Sequence, residues 1–465
     1  MKLIFDVSDK PKAGQLVVFA LQQMLAILAA TIAVPLIIGN GLTPAAAMFG
    51  AGVGTIVYIL FTKRKSPVFL GSSFAFLGSM AAAFAGGVSM QLGMLGLIVG
   101  AFLAGLVYVV IAIVVKFVGV GWLNKLMPAV VIGPTVAIIG LSLAGNAIGD
   151  LVKGDVTKQV TEYAVSTDSG TPEIIETVSN VPVGSSYVAL ICGLITLAVV
   201  MLCSTYGKKT LRLIPFIIGI LAGYAAAAIF TVIGNICDID ALKIVDFSVF
   251  SSYMLTDGSV SLKTFVSLPD FAFVSGLKGL KEFDFTYFAT IFVAYVPVAL
   301  VVFAEHVADH KNLSSIIDHD LLEEPGLTRT LLGDGVGSIA GALFGGCPNT
   351  TYGESVACVA ITGNASVVTI FAAAIGCMLF SFITPLVAFV DSIPACVMGG
   401  VCIALYGFIA VSGLKMIQDA NLDDNRNLFV VSVILIAGIG GLTLTFGDIT
   451  VSYTHLRAHE TRHDL

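Results

Sequence analysis

Charge is what this sequence is shortest of. Only 11% of its 465 residues are Asp, Glu, Lys or Arg, against about a quarter in soluble globular chains, so the surface of a soluble particle of this size cannot be covered. It has no dense basic patch and a net charge of -7, which excludes nucleic acid as a partner. Its eight cysteines include no C-x-x-C pair and sit mostly inside apolar runs, so they form neither a disulfide nor a zinc framework. What is abundant is hydrocarbon: 57% of the residues are hydrophobic and the mean hydropathy is +0.99. Apolar stretches of about 20 residues recur along nearly the whole chain, as in a polytopic helical membrane protein.

Met1 to Lys12 is short and charged, and the run Leu16–Gly39 is too long for the h-region of a cleaved signal peptide. It reads as the first span. Further spans are expected at Pro44–Thr62, Gln91–Val115, Met127–Gly145, Val188–Ser204, Ile214–Ile236, Tyr287–Glu305, Gly333–Phe344, Val367–Val390, Ala395–Gly413 and Leu428–Phe446. With two weaker segments, Val68–Met80 and Thr351–Thr362, that makes about thirteen passes. Basic loops set the orientation. Lys10 and Lys12, Lys63-Arg64-Lys65, Lys116 and Lys125, Lys208-Lys209 with Arg212, Lys311 and Arg329, and Lys415 and Arg426 fall on one side if the N-terminus is cytoplasmic. The acidic loop from Asp150 to Val183 then lies on the other.

The chain echoes itself. Met127-Pro128-Ala129-Val130-Val131-Ile132-Gly133 resembles Ile393-Pro394-Ala395-Cys396-Val397-Met398-Gly399. The weak segments correspond too, through Pro67-Val68-Phe69-Leu70-Gly71-Ser72-Ser73-Phe74 and Pro348-Asn349-Thr350-Thr351-Tyr352-Gly353-Glu354-Ser355. Broken backbone is tolerated in a membrane only where it lines a cavity, so short interrupted segments in matching halves point to a transporter's substrate site and to inverted repeats.

Ionisable groups inside spans are rare and costly. Glu305 closes an uncharged run and Asp309 follows at i+4, placing two carboxylates on one helical face about a turn apart. They either share or relay a proton or mark the cytoplasmic end of the helix. Glu354 sits in the second broken segment beside Gly353, Asn349, Thr350 and Thr351. A half-helix starting there aims free N–H groups at a ligand; the other reading is an extramembrane turn. Gln22 and Gln23 in the first span bond either a ligand or a neighbouring helix. His306 and His310 imitate a metal-binding helix with His319 as a distant third ligand, an intramembrane metalloenzyme being the competing functional class. Gly52-Val53-Gly54 and Gly335-Val336-Gly337 lack the strand–turn–helix setting of a phosphate loop and read as close helix packing. Val451 to Leu465, with His455, His459 and His463, breaks the pattern and reads as a non-native tail in place of the last segment, outside the functional argument.

Three motifs, Ala304-Glu305-His306-Val307-Ala308-Asp309-His310, Pro348-Asn349-Thr350-Thr351-Tyr352-Gly353-Glu354 and Leu70-Gly71-Ser72-Ser73-Phe74-Ala75-Phe76, resemble the nucleobase/ascorbate transporter family, and within it the bacterial uracil permeases. The likeness extends to Gly121-Trp122-Leu123 and Leu405-Tyr406-Gly407. It implies an all-α membrane fold of fourteen segments in two inverted repeats of seven, with short antiparallel strands in segments three and ten. It divides the chain into a core domain (residues 1–117 and 286–392) and a gate domain (118–285 and 393–450), ahead of the tail at 451–465. It implies a cargo of one base, uracil, moved with a proton as coupling ion and with no cofactor, by a dimer in the cytoplasmic membrane. By the same resemblance Glu305 and Glu354 meet the ring N–H groups and carbonyls, the N–H groups of Phe74 and Gly353 meet its oxygens, Tyr352 lines the pocket, and Asp309 joins Glu305 in proton coupling. Ser355 stands where uracil permeases more often carry Asn, and Gln23 where some relatives carry His. A xanthine or urate permease is the nearest alternative, and purine permeases usually place Gln at the position of Glu354. An anion transporter of the same architecture has less use for acidic residues at its site.

Overall fold

In hydrocarbon a backbone must satisfy its own hydrogen bonds, so the long apolar runs become helices. The computed structural model describes residues 3–119, 128–166, 173–208, 211, 214–254, 260–418, 420–440, 443–446 and 449–452. Gly121-Trp122-Leu123, Lys125, Asp168, Lys209, Arg212 and the three tail histidines lie outside them. The first half contains α1 (Ala13–Ile38), α2 (Pro44–Phe61), strand β1 (Leu70–Ser72), a short 3-10 turn leading into α3 (Leu77–Ala83), α4 (Met90–Val118), α5 (Ala129–Ser142) and α6 (Ala144–Leu151). Strands β2 (Thr157–Ser166) and β3 (Glu173–Pro182), then α7 (Ser186–Tyr206) and α8 (Pro215–Cys237), complete it. The second half runs α9 (Phe285–Ile317), α10 (Leu327–Gly345), β4 (Asn349–Thr351), α11 (Gly353–Thr362), α12 (Val367–Phe380), α13 (Thr384–Asp391), α14 (Ala395–Gln418), α15 (Asn425–Ile439), β5 (Thr443–Phe446) and β6 (Ile449–Ser452). Among the described residues, eight helices are long and apolar enough to cross a membrane, α5 and α6 counting as one. The chain is a multi-pass membrane protein.

Several boundaries differ from the sequence reading. The expected span Val367–Val390 is two helices, α12 and α13, because Pro385 in the first turn of α13 starts a helix more readily than it continues one. The groups freed at the break are taken up from outside: Thr384 N–H donates to the Phe265 carbonyl at 3.1 Å and Ser267 N–H to the Phe382 carbonyl at 3.0 Å. The expected span Leu428–Phe446 ends at Ile439, where Gly440 caps α15, and Thr443–Phe446 pairs with Ile449–Ser452 as an antiparallel hairpin. Helix α9 does not stop at Glu305 but continues to Ile317, which removes the helix-end reading of Glu305 and Asp309. Within the acidic loop, β2 and β3 pair antiparallel. Near its start Asp155 accepts the N–H of Ala395 at 3.1 Å, capping the first turn of α14, and burial pushes its pKa up to about 6.

Glycine sets the helix spacing. A Cβ on Gly50 would stand 2.4 Å from the Gly341 carbonyl, and one on Gly54 2.7 Å from that of Gly337, so α2 and α10 cross backbone to backbone. Gly52 and Gly335 are equally hemmed in, by Ala374 and Gly105, as close packing requires. The two copies of the sequence echo begin α5 and α14, and these helices pack on each other at Gly133, Gly140 and Gly413. The two broken segments also meet: β1 and β4 pair antiparallel, with Gly71 opposite Thr350.

Candidate functional site

The broken segments bring the site together. Leu70 N–H donates to Thr55 Oγ1 at 2.9 Å, and Ser73 N–H to the Pro348 carbonyl at 2.9 Å, so the β1 end is held from both sides. Asn349 is fixed through its N–H to Ser338 Oγ (2.9 Å) and its Nδ2 to the Gly50 carbonyl (3.2 Å). The chain then turns into α11 at Gly353, with Glu354 in the first turn, while Phe74 opens the turn that leads into α3. The N–H groups of Gly353 and Phe74 start their helices and have no earlier helical carbonyl to meet. The first turn of α11, directly after β4, therefore presents Glu354.

Phe74, Glu305, Asp309, Tyr352, Gly353 and Glu354 all line one cavity of about 800 Å³, a size usual for small-ligand sites. Thr351 Oγ1 donates to Asp309 Oδ2 at 2.7 Å, and a Cβ on Gly353 would stand 3.9 Å from Asp309 Oδ1. Tyr352 is buried and its hydroxyl donates to the Ser72 carbonyl at 2.8 Å, closing the wall between the two strands. Gly71 permits this, since a Cβ there would fall 2.3 Å from the Tyr352 ring. The opposite wall comes from α5, α8 and α14, including Val136, Phe216, Phe408 and Lys415. Phe74 meets Tyr406 of α14 edge to face, with ring centroids 5.8 Å apart. The arrangement offers acceptors and donors on one wall and apolar rings on the other, suited to a flat polar heterocycle.

Sequence reasoning missed some of this. Gln23 donates to Ser355 Oγ, which also receives the N–H of Phe69 at 3.1 Å. The two positions that depart from the family pattern are thus partners, 332 residues apart. Gln22 Oε1 is buried and has no hydrogen-bond partner among the described residues. Lys415, read from the sequence only as a basic-loop residue, lines the cavity. His306 and His310 do not look outward for a metal: their four ring nitrogens are engaged by Asp334, Thr330, the His306 carbonyl and Tyr58. His319 lies with Glu324, whose carbonyl is 3.0 Å from its Nε2.

Known proteins match this chain over nearly all of its length. A model described as the permease family matches residues 14–179 and 169–446. The uracil permease of Bacillus caldolyticus is 36% identical over 451 residues, covering 96% of this chain and 90% of that protein. The uracil permease of Escherichia coli (strain K12) is 33% identical over 443 residues, covering 95% and 88%. Among solved structures, the transmembrane domain of a cyanobacterium bicarbonate transporter, BicA, superposes with a TM-score of 0.63 at 13% identity, covering 93% of this chain and 98% of that one. SLC26A9 gives 0.59 at 12% identity, covering 92% and 63%. These two show the fold, an inverted repeat of seven and seven segments. With its family model, full-length relatives and three motifs in agreement, the chain belongs to the permease family of nucleobase/ascorbate transporters.

Proposed function

We propose that this chain carries uracil with a proton across the cytoplasmic membrane, its N-terminus inside, as a homodimeric carrier rather than an enzyme. The core (residues 1–117 and 286–392) moves against the gate (118–285 and 393–450). The observation that carries the reading is the convergence of Glu305, Asp309 and Glu354 with the helix-start amides of Gly353 and Phe74 on one cavity. Uracil presents two ring N–H donors and two carbonyls. The carboxylates of Glu305 and Glu354 accept from the donors, the two amides donate to the carbonyls, and Tyr352 walls the ring. A proton on Asp309 or Glu305 lowers the cost of enclosing these acids, so loading proton and base together is favoured by linkage.

Thermal unfolding of the detergent-purified protein tests this directly. Among uracil, thymine, xanthine, urate and ascorbate, uracil is expected to give the largest stabilisation, about 2.7 kcal/mol at about 100 times its dissociation constant. A larger shift with xanthine or urate would replace the pyrimidine reading with the purine one. Asp309→Asn keeps an oxygen for Thr351 but cannot take up a proton. It is expected to flatten the pH profile of uptake while changing uracil binding by less than about 1 kcal/mol. An unaltered profile would remove Asp309 from proton coupling.

A further inference from the structure

Glu305 and Asp309 face the cavity, while the residue after each, His306 and His310, is buried away from it. The two imidazoles stack with centroids 4.0 Å apart. His310 Nδ1 lies 2.7 Å from the His306 carbonyl and so carries a hydrogen, leaving Nε2 to accept from the Tyr58 hydroxyl at 2.6 Å. That hydroxyl in turn accepts from Ser66 at 2.7 Å. Every link is satisfied by a neutral ring.

His306 is different. Its Nε2 is 3.0 Å from Thr330 Oγ1, whose own hydrogen is donated to the Leu327 carbonyl at 3.1 Å. With the hydroxyl turned to that carbonyl, Nε2 donates to Thr330 Oγ1. Its Nδ1 lies 2.7 Å from Asp334 Oδ2. With Nε2 holding the ring's hydrogen, that contact joins two bare acceptors unless a further proton sits between them. Asp334 and His306 are both 0% exposed, and among the described residues Asp334 Oδ1 has no hydrogen-bond partner. An unneutralised carboxylate so placed inside a membrane is costly. Tyr58 and Tyr108 face this cluster from α2 and α4, His310, Glu305 and Asp309 lie on the same helix, and among the described residues no cation takes part in its contacts.

We propose that His306 and Asp334 share one resident proton, which stays with the protein, and that this neutral pair is a positioning device fixing the face of α9 that bears Glu305 and Asp309. The positioning half rests on the uracil-carrier reading; the resident proton does not. Asp334→Asn tests it, because its amide can donate to Nδ1 without the extra proton. Above about pH 7 the native wild type holds one proton that the unfolded chain has lost, so its unfolding equilibrium rises about tenfold per pH unit relative to the variant. Thermal unfolding without substrate between pH 7 and 9 is expected to show wild-type stability falling against that of Asp334→Asn. Parallel curves would overturn the proposal. Uptake by Asp334→Asn is expected to keep the wild-type pH profile, and a flattened profile would make the proton mobile and overturn residence. If Asp334→Asn does not accumulate, the double variant His306→Leu, Asp334→Leu removes the pair whole and is expected to lose the same one-proton slope. Failure of the uracil reading would appear as absent ligand stabilisation with the pH difference intact.

Discussion

Glu354→Gln is expected to weaken uracil binding by about 1.5 to 3 kcal/mol, roughly 10- to 150-fold, with the protein still folded. The substitution keeps the shape of a side chain in the first turn of α11 and on the wall of the cavity. It exchanges one carboxylate oxygen for an amide that donates. A ring N–H then faces a donor instead of an acceptor, and a buried donor without an acceptor loses its hydration with nothing in return. Isothermal titration with uracil measures the loss. Unchanged affinity would take Glu354 out of base recognition and leave it a helix-start carboxylate stabilised by the dipole. Since purine permeases resemble this chain with Gln at that position, the same variant titrated with xanthine reports whether the residue also sets the substrate class.

The second large effect lies in the scaffold. Gly341→Val is expected to cost about 3 kcal/mol or more, because a Cβ there would stand 2.1 Å from Asn349 Nδ2 and 2.8 Å from the Gly50 carbonyl. Neither neighbour is a flexible tip: one anchors β4 and the other is the backbone of α2. The wedge therefore parts α2 from α10 and releases the strand that carries the site. Gly149→Ala is the control, since nothing lies within 4 Å of its added Cβ. Melting temperatures of both variants check the pair of expectations, and equal values would show that the α2–α10 crossing yields.

Much of the architecture was legible because a membrane narrows the choices. Long apolar runs can only be helices, and Gly-rich pairs can only be close crossings. The interrupted segments at Pro67 and Pro348 were readable as a candidate site, since polar and glycine-rich backbone is tolerated in hydrocarbon only where it lines a cavity. Misread boundaries had local causes that hydropathy does not weigh: Pro385 breaks a run whose apolarity continues, and Gly440 ends one whose apolarity does too. Glu305 illustrates an ambiguity of the opposite kind. Charge at 305 and 309 looks like a helix end, yet α9 runs on through both, and Thr351 of β4 donates to Asp309.

By itself, then, the sequence determined that this is a multi-pass membrane protein with two related halves and acidic residues in a broken segment, all consequences of composition and periodicity. Only the tertiary structure decided which polar groups are used and by whom. Glu354 and Phe74 face one cavity, Gln23 answers Ser355, and His306 turns to Asp334. Those pairings join residues far apart in the chain, and no local pattern encodes them. The first two follow from the antiparallel meeting of β1 with β4 and the glycine-set approach of α2 to α10, which bring the two halves together, and the third joins α9 to α10 within the second half.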